Sequence, residues 1–335
     1  MRNKLRITKN IPAPPDVWKE IYDRCDYATY FHSLEFSNTI KLIQPEMQIG
    51  TRLIEFNDHK RVIFLIHKEI FFKGLLKFNS SLSFSGYGGW ISGDDLGTAH
   101  TDLLLEYIKQ LNIYLRINPF DRSNAYKKLN TDADYAQILD LRRNYADIHK
   151  NYNRNRKRDL ITAQKAGVTF EEAKCVEDWK EFYEIYLKAL KKWGDNAKNR
   201  REWTFWEGLR NSNTDHVKLY AAKYDSKIVA GVVCLSDKRK ITEYYRVFLE
   251  EYKHVAPVTY LIDQVIQISI EKFDYFDFMS SGKIEQIIAF KNGFGPELAP
   301  NDTFYNYTLK YRFLQKIQKT TRKWFVLNSN RTTCN

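Results

Sequence analysis

Residues 217–279 read VKLYAAKYDSKIVAGVVCLSDKRKITEYYRVFLEEYKHVAPVTYLIDQVIQISIEKFDYFDFM, and this pattern decides the fold class. Val217–Lys223 is a strand, and Tyr224-Asp225-Ser226-Lys227 supplies a polar turn. Ile228–Leu235 is a nearly unbroken apolar run, as in a strand covered on both faces. Ile241–Phe248 reads as a further strand. Pro257 then stands at a first helical position, where its missing N–H leaves no bond unmade. Val258, Leu261, Ile262, Val265 and Ile266 follow at i, i+3, i+4, i+7 and i+8, one face of an amphipathic helix. Asp274–Met279 closes the unit as a strand. Strands joined through a crossover helix make an α/β unit with a mixed sheet.

The same order of elements occurs upstream. Thr51–Phe56 is a strand, Asn57–Lys60 a polar turn, and Arg61–Ile66 a second strand. Thr101–Leu111 is a helix with Leu104, Leu105, Ile108 and Leu111 on one face, and Ile113–Ile117 is a strand. Between the two units lies His149–Gly167, HKNYNRNRKRDLITAQKAG, a basic helix ended by glycine, on which Leu160, Ile161 and Ala163 can pack. Asp178–Trp193 is a helix whose Trp179, Phe182, Tyr186 and Leu190 form a core stripe. These elements divide the chain into residues 1–145, residues 146–308 and a basic amphipathic tail, 309–335. The tail is expected to pack on the second unit, with contact to anionic lipid as the alternative.

The composition is globular: 43% hydrophobic and 28% charged residues over 335 positions, enough apolar material for two cores. The +12 net charge favours polyanionic partners, among them nucleic acid, nucleotide-linked molecules and an anionic membrane surface, although a solvated surface explains it equally well. Cys25, Cys175, Cys234 and Cys334 are scattered and form no metal-ligand spacing, so a reducing, cytoplasmic setting without structural metal is expected. The start of the chain has no apolar signal region, and Val62–Leu76 is too interrupted by charge to span a bilayer. There is no G-x-S-x-G elbow, H-E-x-x-H helix, phosphate-binding Walker loop or dinucleotide fingerprint.

Several short patterns occur in order. They are Phe31-His32-Ser33-Leu34-Glu35-Phe36, the glycine-rich Gly86-Tyr87-Gly88-Gly89-Trp90, and the basic stretch ending at Gly167. Last come Phe276-Asp277-Phe278-Met279-Ser280-Ser281-Gly282 and Phe290-Lys291-Asn292-Gly293-Phe294-Gly295. From about Phe31 to Gly295 the chain resembles the FemAB-like branch of the GNAT superfamily. The resemblance implies two tandem GNAT-like domains and transfer of an acyl or aminoacyl group, from a thioester or an aminoacyl-tRNA, to an amine. It places Phe290 and Lys291 near the transfer centre and sets basic residues of the 149–167 helix against phosphates of a nucleotide-linked acceptor. The glycine-rich diphosphate loop of ordinary acetyl-CoA-dependent relatives is missing, since Tyr252–Ala256 precedes Pro257 without glycine. A diphosphate would then rest on the helix N-terminus at Pro257 and Val258.

Acyl transfer needs a neutral amine, a polarised carbonyl and a route for the proton. Lys291 is the candidate for oxyanion or phosphate stabilisation, with a helix-terminal cation as its structural alternative. Phe290 lines the same pocket or belongs to the core. Asp277, on the opposite side of its strand from the flanking phenylalanines, is a proton acceptor or a loop cap. Glu243 and Tyr245 share one side of their strand and are candidates for base and acid. Arg154, Lys157 and Arg158 share a helical face suited to phosphate, or to solvent. The leading expectation is an acyltransferase using acyl-CoA on an amino sugar or other envelope precursor. An aminoacyl-tRNA-dependent peptidoglycan-type transferase is the alternative, and a non-enzymatic nucleic-acid- or lipid-binding protein is the third reading.

Overall fold

The computed structural model describes residues 4–71, 76–81, 86–194, 200–212 and 215–307; the tail expected at 309–335 lies outside them. Among the described residues the strands form three sheets. The largest runs, edge to edge, Thr169–Ala173, Val217–Tyr224, Lys227–Asp237, Lys240–Phe248, Tyr275–Ser280, Tyr135–Asp140 and Glu297–Pro300. Neighbours are antiparallel except Lys240–Phe248 against Tyr275–Ser280. The helix Pro257–Ser269 provides the crossover that this parallel pair requires.

The first half carries two smaller sheets. One orders Ile7–Pro12, Arg52–Phe56, Arg61–Phe64 and Trp90–Ile91; the other orders Thr303–Asn306, Ile113–Arg116, Leu76–Ser81, His67–Phe71 and Gln48–Ile49. Here too a parallel pair, Leu76–Ser81 with Ile113–Arg116, is joined through a helix, Thr98–Gln110. The two α/β units expected from the sequence are therefore present. They also exchange strands across position 145/146. Tyr135–Asp140 sits inside the second unit's sheet, and Thr303–Asn306 pairs with Ile113–Arg116 of the first.

The largest sheet is covered on both faces, which explains why Ile228–Leu235 is apolar without alternation. On one face Ala230, Val232, Cys234, Phe276 and Phe278 meet Leu261, Ile262, Val265 and Ile266 of the crossover helix. On the other, Phe182, Tyr186 and Trp206 pack on Val233 and Leu235, and the first unit adds Phe31, Phe36 and Tyr87 to the same cluster. Gly231 lets the Phe182 ring lie against the strand, for a Cβ there would come within 2.6 Å of Cδ2.

The single helix expected over His149–Gly167 is two, Tyr145–Lys150 and Arg154–Ala166. Asn153 separates them by accepting the Arg156 N–H at 2.9 Å, an N-cap that starts the second helix afresh. Ile161, expected to pack, is 52% exposed, while Leu160 and Ala163 are buried.

The motif around His32 is a structural bolt. His32 is 1% exposed; its Nδ1 accepts from the Thr29 N–H at 3.2 Å and its Nε2 donates to the Gly88 carbonyl at 3.1 Å. Acceptance at Nδ1 requires the neutral ring, and burial pulls its pKa down to about 4. Unfolded, the ring takes a proton near pH 6.5. The unfolded state thus binds more protons between the two values, and His32's contribution is lost as pH falls from about 6.5 to about 4. Wild type is expected to lose about 2–3 kcal/mol of its advantage over His32→Gln between pH 7 and pH 4.5 in urea unfolding. An advantage independent of pH would show that the ring is protonated in the fold.

Candidate active site

The parallel strands Lys240–Phe248 and Tyr275–Ser280 pair only over Lys240–Thr242 and Tyr275–Asp277. Beyond that both are irregular. Tyr244 is an extra residue between the pairs Cys234–Glu243 and Val233–Tyr245. The second strand slips register between Asp277 and Ser280, where Met279 takes φ +58°. Bulges bend and twist the strands that carry them, so the pair splays. The opening is a cleft of about 340 Å³ lined by Glu243, Arg246, Met279, Ser280 and Lys291, with Trp193 at 40% exposure and Arg116 from the first unit.

The bulge also re-sorts side chains. Glu243 and Tyr245, expected on one side, point to opposite faces. Tyr245 packs on Tyr186 and Trp206 at ring distances of 5.5 and 5.1 Å and still borders the cleft. Burial raises its pKa and holds the phenol neutral. Glu243 instead shares a face with Arg246, three residues on, and lies 3.1 Å from its Nη1, a proximity that an unbulged strand forbids. The two are misaligned for a hydrogen bond. Glu243 Oε2 and Arg246 Nη1 are both buried without a hydrogen-bond partner among the described residues.

Lys291 ends the short helix Glu285–Asn292 and is 4% exposed. Its ammonium donates to the carbonyls of Met279 and Ser280, both at 3.2 Å, and holds the bulge. An ammonium has three protons, so one remains for a group in the cleft. Burial pulls its pKa down to about 8, against the favourable field of Glu243.

Phe290, its neighbour, belongs to a second cavity of about 620 Å³ on the crossover-helix side. Two guanidiniums lie over the Phe290 ring, Arg246 at 4.2 Å and Arg156 at 4.5 Å from its centre. Pro257 and Val258 line the same cavity, at the start of a 13-residue helix with no side-chain cap. Ala256 stands before them at φ +50°, a conformation natural to glycine and imposed here on alanine. Arg156 is anchored by a bond to Thr259 Oγ1 at 2.7 Å and an ion pair with Asp159 at 3.1 Å, and burial lowers its pKa.

Two groups of candidate residues lie elsewhere. Arg154 and Arg158 are exposed, and Lys157 turns back to the Lys150 carbonyl at 2.8 Å, so none of them lines this cavity. The inward cation is Arg156, which shares its face with buried Leu160 and Ala163 at i+4 and i+7, a spacing visible in the sequence. Asp277 lines neither cavity. It is fully buried and accepts from Tyr87 Oη at 2.7 Å and the Met279 N–H at 2.7 Å, a bond between the two units rather than a proton relay. Arg246 went unrecognised as a charge inside a strand otherwise buried.

The described residues hold no cluster of three or more potential metal ligands, and none of their helices is long and apolar enough to cross a membrane. Residues 148–291 match the family model of the acetyltransferase (GNAT) domain. A search of curated proteins finds no match. Among solved structures, FemX superposes with a TM-score of 0.67 at 12% identity, covering 92% of this chain and 100% of its own. A conserved protein of unknown function from Bacteroides thetaiotaomicron gives 0.55 at 10% identity, covering 89% and 99%. A tandem GNAT protein from the clavulanic acid biosynthesis pathway gives 0.49 at 9% identity, covering 90% and 98%. Residues 148–291 thus form a GNAT acetyltransferase-type domain, and the chain as a whole has the two-unit fold of FemX.

Proposed function

We propose that this chain is an N-acyltransferase that draws an acyl thioester, acyl-CoA, into the cavity at Pro257 and delivers the acyl group to an amine in the adjoining cleft. The acceptor fits a phosphorylated or nucleotide-linked amino sugar of envelope synthesis, in keeping with the chain's basic charge. One observation carries the reading. Two guanidiniums share one aromatic ring at an uncapped helix N-terminus, and Arg246 Nη1, 3.1 Å from Glu243 but misaligned with it, is buried without a hydrogen-bond partner among the described residues. Like charges so placed favour an anion between them, and a diphosphate meets both guanidiniums and the helix amides.

The reaction follows from the placement. Glu243, with its free Oε2 in the cleft, takes a proton from the incoming ammonium. The amine attacks the thioester carbonyl; a C–N bond forms, the C–S bond breaks, and the leaving thiolate takes the second proton shed by the new amide nitrogen and departs as free thiol. The third proton of Lys291 meets the oxyanion of the intermediate.

Calorimetric titration with acetyl-CoA tests the donor. Saturable binding is expected, weakened roughly 10–100-fold in Arg246→Gln, the size of a lost charge-assisted contact. No heat with acetyl-CoA, together with salt-sensitive binding of charged tRNA, would replace the thioester by an aminoacyl-tRNA.

A further inference from the structure

A third cavity, of about 430 Å³, lies at the opposite end of the splayed strands, between the two units. Its floor is the start of the parallel pair, Lys240 and Tyr275, and its walls include Arg122 and Phe120 of the first unit. Lys240 precedes Glu243 by three residues, about 10 Å of strand, so this space is separate from the transfer cleft.

Three features of the cavity are unusual. Lys240 is 5% exposed, yet its ammonium donates only to carbonyls, of Asp26 at 2.6 Å and Lys238 at 3.1 Å, beside the Phe120 ring. It has no carboxylate in ion-pair range among the described residues. A buried cation without a counter-charge is unfavourable unless an anion joins it. The hairpin turn before it places Lys238 and Arg239 at φ +52° and +59°. Such a turn favours Asn-Gly, and two cations there cost about 1 kcal/mol each. Finally, the lining sets four cations, Arg122, Lys238, Arg239 and Lys240, against two carboxylates, Asp26 and Asp274. Arg239 and Asp274 already satisfy each other through two bonds of 2.9 and 2.8 Å. Arg122 is exposed, and its guanidinium has no partner among the described residues.

We propose that this cavity is a second binding site, for a small organic phosphate monoester, with Lys240 and Arg122 holding the phosphate from the two units and Phe120 and Tyr275 forming an apolar wall. A ligand there bridges the units at the place where the splayed strands are still paired.

Thermal unfolding of the purified chain tests this with three probes: inorganic phosphate, glucose 6-phosphate and AMP, at ionic strength matched with KCl. A saturable rise in melting temperature is expected with at least one organic phosphate. A larger rise with the sugar phosphate or with AMP identifies the body of the ligand. Arg122→Ala removes an exposed side chain and leaves the fold intact; it should weaken the apparent affinity at least tenfold, and Lys240→Met should abolish the response. Arg156→Ala, in the donor cavity, should leave it unchanged, which keeps this site apart from the proposed thioester site. Equal responses in wild type, Arg122→Ala and Lys240→Met, or a response lost in Arg156→Ala alone, would overturn the proposal. So would the absence of a saturable response to all three probes.

Discussion

Replacing Lys291 by methionine is expected to lower turnover roughly 10²–10³-fold while the Michaelis constants stay within about threefold. The side chain sits in the cleft with two protons fixed on the Met279 and Ser280 carbonyls, so the third is held before any substrate arrives. Donors fixed in this way act on the charge that develops at the carbonyl oxygen and contribute little to ground-state binding. Burial places the pKa at about 8, and the protonated form is the active one, so turnover should fall as pH rises through about 8. Lys291 also restrains the bulge at Met279, whose φ of +58° is strained for a residue with a side chain. Thermal stability and acetyl-CoA affinity separate the two roles. A loss of turnover under about fivefold, with melting temperature and binding both reduced, would make Lys291 a structural tether.

Substituting Asp277 by alanine should destabilise the fold by about 3–4 kcal/mol, for it strands the Tyr87 hydroxyl and the Met279 N–H in a site closed to water. Asparagine, which keeps an acceptor for both, has a different outcome. Burial raises the Asp277 pKa to about 6, above its unfolded value near 3.8, and the bonds to Tyr87 and Met279 only partly offset this. The folded state therefore binds more protons between these values, and wild type loses stability as pH rises through about 6. Relative to Asp277→Asn, that loss amounts to about 3 kcal/mol, and the variant should equal or exceed wild type at pH 8 in urea unfolding. The sign is opposite to that of His32 over nearly the same window. The two contributions oppose each other in wild type, and each shows clearly only against its own variant. An Asp277→Asn protein much weaker than wild type at pH 8 would mean that the ionised carboxylate is needed by something the Tyr87 bond does not supply.

The cleft and the cavity at Pro257 share Arg246 and Ile287 in their linings. The Arg246 guanidinium faces the Phe290 ring on one side and Glu243 on the other. A bound diphosphate would draw Arg246 toward the donor and leave the Glu243 carboxylate to the incoming amine. Donor binding would thereby prepare the base for the acceptor.

Local patterns in the chain were enough to place the central strands and the crossover helix of the second unit. The unbroken apolar run Ile228–Leu235 required a strand covered on both faces, and the Pro257 helix with its 3.6-residue stripe required a crossover. Periodicity and turn chemistry are local, so they can be read from neighbours in the chain. The Phe290-Lys291 pair drew notice through its likeness to a family, and the fold divides it between two cavities. Tertiary structure decided how these elements pair and where their side chains go. The exchange of Tyr135–Asp140 and Thr303–Asn306 between the units rests on pairings more than a hundred residues apart. The bulge at Tyr244 turns Arg246 inward beside Glu243 and sends Tyr245 to the opposite face. One extra residue in a strand reverses every side chain after it, and nothing in the alternation of ITEYYRVF marks where that residue falls. The bond between Tyr87 and Asp277, 190 positions apart, likewise exists only once two separately legible units are packed together, because its partners meet through burial and not through any local pattern.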